Sequence, residues 1–166
     1  MTDAPGNAAG ADAAGADAAG ADAAGADAAG LGPAAADDPT RPFFYSVADL
    51  PAYSIAQMME RSGASDEEKE KMFGLFGRDL VTRTILQSSR LSVFHEVAGP
   101  KERVRPHRHG THQLTYVLRG SLHYGNRVTS AGMGYFSPDR LYSWTAGEDG
   151  AEWIEIHAGR PQAFVE

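Results

Sequence analysis

From residue 80 onward the apolar positions fall in short runs, rich in β-branched and aromatic side chains, at 80–86, 90–97, 113–118, 121–124, 134–136 and 151–157. Gly99-Pro100, Arg119-Gly120, Gly125-Asn126 and Gly147-Glu148-Asp149-Gly150 separate several of these runs. Short strands with turn signals at roughly 8–12-residue spacing predict an antiparallel sandwich or barrel over 80–166. Alternation assigns faces within it, because side chains two apart on a strand point the same way. Gln113, Thr115 and Val117 fall on one face, with Tyr116 and Leu118 on the other. His95 alternates with Leu91, Val93 and Val97, which predicts that it points inward. His157 shares a face with Trp153 and Glu155, opposite Ile154 and Ile156.

Residues 43–79 follow a different rhythm. Order is expected to begin at Phe43-Phe44-Tyr45, and 51–61 read as a helical turn or two. Ser65 followed by Glu68 three residues later is a capping-box pattern. Met72, Phe73, Leu75 and Phe76 would give that helix an apolar side, and Gly74 and Gly77 shorten it. The segment reads as a short helical N-terminal extension, either a cover over one mouth of the barrel or a contact between protomers.

Composition changes the picture mainly at the start of the chain. Residues 1–40 hold seven Asp and no Lys or Arg, so the net charge of -7 belongs to this stretch and the rest is balanced. Ala-Asp-Ala-Ala-Gly occurs four times over 11–30. A glycine every fifth residue opposes helix, and no large apolar side chain is present to bury. Residues 1–42 therefore read as a disordered acidic tail and linker. A balanced domain exerts little electrostatic pull on nucleic acid. The absence of Cys excludes disulfides, thiolate nucleophiles and Cys-ligated metals. No apolar run approaches the ~20 residues of a membrane helix, and the first residues lack the basic and apolar regions of a secretory signal. A soluble cytoplasmic protein, with no nucleic-acid or membrane partner, is expected.

The candidate chemistry lies in Pro106-His107-Arg108-His109-Gly110-Thr111-His112-Gln113. His107 and His109, two apart on a strand, can offer two imidazoles to one side, and an inward Gln113 can add an amide oxygen. This N,N,O set suits a divalent ion such as Fe(II), Mn(II), Ni(II) or Zn(II).

The stretch resembles the first motif of the cupin family, HxH, three or four residues, Glu, six residues, Gly, with Gln113 in place of the Glu and Gly120 at the end. Gly132, five residues, then Pro138-Asp139-Arg140-Leu141-Tyr142-Ser143 resembles the second motif, with Arg140 at its Gly and Ser143 at its metal-binding His. The resemblance covers about 80–160. It implies an all-β fold, an antiparallel double-stranded β-helix (a jelly roll of the RmlC-like type), commonly as a homodimer. It also implies a metal, Fe(II) first, on His107, His109 and Gln113, with oxygenase as the first activity. A lyase or isomerase of an oxygenated metabolite and a non-catalytic ligand-binding module are the alternatives. With Ser143 a poor ligand, His95, ahead of His157, is the candidate replacement ligand or general base, and Tyr142 a second candidate for proton transfer. Lys101, Arg103, Arg105 and Arg108 crowd the approach and could select an anionic substrate or form a solvated surface. Tyr124, Tyr135, Phe136, Tyr142, Trp144 and Trp153 could line a pocket for an aromatic one, or be core. Nucleophile-elbow, P-loop and Rossmann motifs are absent from the sequence.

Overall fold

The structure is a computed structural model and describes residues 42–162. The tail reading for 1–42 falls, but for its last residue, outside the described residues. Of the aromatic trio expected to start the ordered chain, Phe44 is fully exposed and Phe43 and Tyr45 are largely so. The first buried apolar side chain is Leu50.

A two-residue strand, β1 (Tyr53–Ser54), leads into two helices, α1 (Ile55–Ser62) and α2 (Asp66–Phe76). Both begin on capping boxes, Ser54 with Gln57 and Ser65 with Glu68, so each first turn has its free N–H groups satisfied by side chains. Left-handed Gly63 ends α1 and Gly77 ends α2. Seven strands follow: β2 (Val81–Gln87), β3 (Ser92–Ala98), β4 (Arg103–His107), β5 (His112–Tyr124), β6 (Arg127–Ser130), β7 (Gly134–Pro138) and β8 (Tyr142–His157). Every pairing is antiparallel, in the order β1-β2-β3-β8-β5-β6, with β4 also on β8 and β7 also on β5.

Two expected breaks are continuous strands. The Arg119-Gly120 turn signal lies inside β5, and 147–150 lie inside β8. The reason is a corner shared by the two long strands. Gly120 and Gly150 both have positive φ, and a Cβ on Gly120 would collide with the Gly150 carbonyl. Each strand bends there and continues, so β8 pairs with β3 through its second half and with β4 through its first.

Alternation holds on β5, where Gln113, Thr115 and Val117 are buried, and on β8, where Trp153, Glu155 and His157 are. It fails on β3. Phe94 and Glu96 line the interior cavity, and His95 points to the other face, where its Nε2 meets Glu152 Oε1 at 2.8 Å. A one-residue change of parity turns the whole strand over. The apolar residues Leu91, Val93 and Val97 lie on the other face, because this strand turns Phe94 and an acid, Glu96, to the cavity.

Candidate metal centre

His107 ends β4 and is fully buried. Its Nδ1–H donates to the Arg105 carbonyl at 2.8 Å, which leaves the Nε2 lone pair facing inward. That Nε2 lies 3.1 Å from His109 Nε2. His157, from the end of β8, places Nε2 2.7 Å from Glu155 Oε1, while its Nδ1 sits 3.0 Å from Thr111 Oγ1. Glu155 Oε1 in turn lies 3.9 Å from His109 Nε2. Ligand atoms of His109, Glu155 and His157 are all within 4.8 Å of one another. Two donors bound to one ion at 2.0–2.2 Å stand about 3 Å apart at near-right angles, so these gaps are of the size an ion bridges. Arg105 and Thr111 hold their imidazoles by the outer nitrogen, as second-layer partners of metal-bound His do.

Electrostatics favours the ligating forms. Burial pushes His107 below its ordinary value and His109 down to about 4, so both lone pairs are free near neutral pH. Burial alone would raise Glu155, but the hydrogen bond from His157 outweighs it and holds the carboxyl below its ordinary value. The Trp153 indole N–H donates to its other oxygen at 3.2 Å.

Gln113 stands one step away. Its Oε1 accepts from the Tyr142 hydroxyl at 2.8 Å and its Nε2 donates to Thr115 Oγ1 at 3.3 Å. Tyr142 is what touches the imidazoles, with its hydroxyl 3.2 Å from His109 Nε2 and its ring 4.5 Å from that of His107. Burial keeps this phenol protonated far above its ordinary value. The inward residue of the second motif is thus Tyr142, cross-strand from His107, and Ser143 faces away from it. The glycine missing at 140 is replaced locally by Asp139, at φ 52°. Its carboxylate accepts from Gly110 N–H at 2.8 Å and pairs with Arg108 at 3.3 Å, tying the two motifs together.

Of the sequence candidates, the fold brings His107, His109 and Tyr142 into one cluster, with Gln113 behind Tyr142. His95 lies outside it, across the sheet. His157 joins the cluster in its place, together with its neighbour Glu155. The signal for both was their place on one face with Trp153, alternating with Ile154 and Ile156.

The cluster closes one side of a cavity of about 280 Å³. Ile55 and Met58 of α1, Met72 and Phe76 of α2, and Phe94 and Trp144 of the sheet form apolar walls. Phe76 lays its ring edge on His107 at 5.1 Å. The helical extension therefore covers the site. Glu96 is the other acid in the lining, and burial first, then Glu155, push it well above the ordinary carboxylate value. The cationic residues expected to guide an anion lie elsewhere: Arg103 and Arg105 are exposed and Arg108 is paired with Asp139.

This sheet, with its two bent strands and a histidine cluster in the bowl, is the cupin fold. The polyketide cyclase RemF from Streptomyces resistomycificus superposes with a TM-score of 0.53 at 14% identity, over 76% of this chain and 88% of that one. An RmlC-like cupin from Shewanella frigidimarina matches with a TM-score of 0.45 at 19% identity, over 48% of this chain and 76% of that one. KdgF from Halomonas sp. matches with a TM-score of 0.46 at 18% identity, over 49% and 79%. No family model and no curated protein sequence matches the chain. Among the described residues no helix is long and apolar enough to cross a membrane.

Proposed function

We propose that the protein is a metal-dependent enzyme acting on a small, largely apolar molecule that carries oxygen substituents, with oxygenase chemistry as the first assignment. The observation that supports it is the convergence of His109, His157 and Glu155, with His107 adjoining His109, on one side of an apolar cavity. Two His and one carboxylate with open positions is the donor set of non-haem Fe(II) oxygenases. Fe(II) held there would supply activation of dioxygen beside the bound substrate. The chain's own residues do the rest. His107 adds a fourth donor and third nitrogen, Arg105 and Thr111 fix the ring orientations, and Phe76, Met58 and Met72 exclude water. Gln113 supports the centre through Tyr142 rather than from within it. The apolar walls and two acids favour an aromatic, uncharged substrate over an anionic one.

A second reading, Lewis-acid isomerisation or cyclisation, draws on the Tyr142 phenol, which is positioned by Gln113 to exchange a proton with a substrate oxygen. The name of the structurally similar polyketide cyclase points the same way.

Elemental analysis of the untagged full chain, with iron, manganese, nickel and zinc add-back, tests the centre. Near-stoichiometric metal that falls at least tenfold in His109→Ala is expected. Oxygen uptake with catechols, flavonols and diketones then separates the two readings. A wild-type chain that holds no metal under any add-back overturns both.

A further inference from the structure

We propose that Glu96 is a substrate-recognising residue: its carboxyl takes one oxygen substituent of a flat apolar ligand whose other oxygen meets the His109–Glu155–His157 cluster. The proposal rests on reading this cavity as the substrate site.

Glu96 comes from the middle of β3 and faces the cavity beside Phe94. Phe94 is the cross-strand partner of Glu155, and Glu96 that of Trp153. Glu96 therefore stands one inward step, about 7 Å, along the sheet from the level of Glu155. That is the reach of an aromatic body with substituents at both ends. A carboxyl group has about four lone-pair positions. Thr82 Oγ1 occupies one at 3.3 Å, and the Trp153 indole N–H, shared with Glu155, approaches another. The group is half-buried and lines the cavity, so a ligand filling that space can reach a position that Thr82 and Trp153 leave open. A buried polar group without a full set of partners costs free energy, and a ligand oxygen there recovers it. Neutral, as burial favours, the carboxyl can accept from a phenol or enol O–H and also donate to a carbonyl oxygen. A purely structural Glu96 would gain nothing from a ligand, since Thr82 and Trp153 already hold it. Selectivity for a second oxygen is what separates the two roles.

The test is calorimetric titration of the full chain, both metal-stripped and zinc-loaded, with 2,7-dihydroxynaphthalene and with 2-naphthol. The second hydroxyl is expected to tighten binding about tenfold in the wild type. In Glu96→Leu and Glu96→Met that ratio should fall to within about twofold. Either variant suffices if it melts cooperatively, and exchanging a buried carboxyl for an apolar side chain of similar size is compatible with folding. A wild-type ratio near one, no binding of either probe, a tenfold ratio persisting in the variants, or loss of folding in both variants overturns the proposal. Zinc stoichiometry is measured in the same samples. A chain that binds no metal yet keeps a Glu96-dependent ratio overturns the metal centre and leaves this assignment standing.

Discussion

The two ends of the barrel interior are built on opposite principles. Toward the Gly120–Gly150 corner the inside is apolar and closed, with Val104, Val117 and Leu122 fully buried and Ala146 and Ala151 nearly so. At the other end His107, Gln113, Tyr142, Glu155 and His157 are buried and His109 is partly so, yet every one is polar and held by hydrogen bonds. The first end gains stability from area removed from water. The second is costly to bury and is retained by a connected network, which orients donors at the expense of packing energy. Trp153 joins them, fully buried among the apolar residues and donating its N–H to Glu155.

Mutation at the closed end should give the largest loss of stability and leave the centre's ligand geometry alone. Leu122→Ala is expected to cost about 3 kcal/mol in urea unfolding, with metal content per folded chain unchanged. Loss of metal without loss of stability at this position would break the contrast. The polar end should show itself in acid. His109 titrates at about 4 in the native protein, against an ordinary value of 6.5. Below 6.5 the unfolded chain therefore binds a proton that the native state refuses, and the contribution is lost as pH falls toward 4. Compared in metal-stripped protein, the wild type should lose on the order of 2–3 kcal/mol relative to His109→Leu between those limits. Parallel curves for the two would show that the imidazole is not held neutral by burial.

Smaller effects sharpen the picture. Tyr142→Phe leaves the Gln113 oxygen without its donor and should cost about 1–2 kcal/mol, a loss measurable by thermal melting. Ser65→Ala removes the α2 cap and should cost roughly 1 kcal/mol. If α2 is a wall of the site, this variant should also weaken binding of an aromatic probe although it lies outside the cavity.

Much of this was legible in the chain. The strand runs from residue 80, the Ser65–Glu68 cap and the pairing of His107 with His109 follow from spacing alone. The bends in β5 and β8 were not, because glycine marks a turn and a corner with the same letter, and only the approach of Gly120 to Gly150 distinguishes them. The parity of β3 was misread for a related reason. Hydrophobicity marks the interior where the interior is packed, and a cavity that holds chemistry reverses the sign. His95 looked inward by its apolar neighbours, whereas Glu96, the strand's acid, is the residue that lines the cavity. The same reversal put His157 and Glu155 on the inner row of β8. Alternation with Ile154 and Ile156 gave their common face, and nothing in the spacing distinguished Glu155 as part of the cluster.

Because part of the cavity wall comes from α1 and α2 while the histidine and carboxylate cluster comes from the sheet and its loops, the shape of the entrance and the polar floor are written in separate stretches of the gene. Exchanging 55–76 for another pair of capped helices would alter which molecules enter without disturbing the grip beneath them. A lineage could thus reshape the mouth of the cavity by varying about twenty codons while its polar floor stayed put.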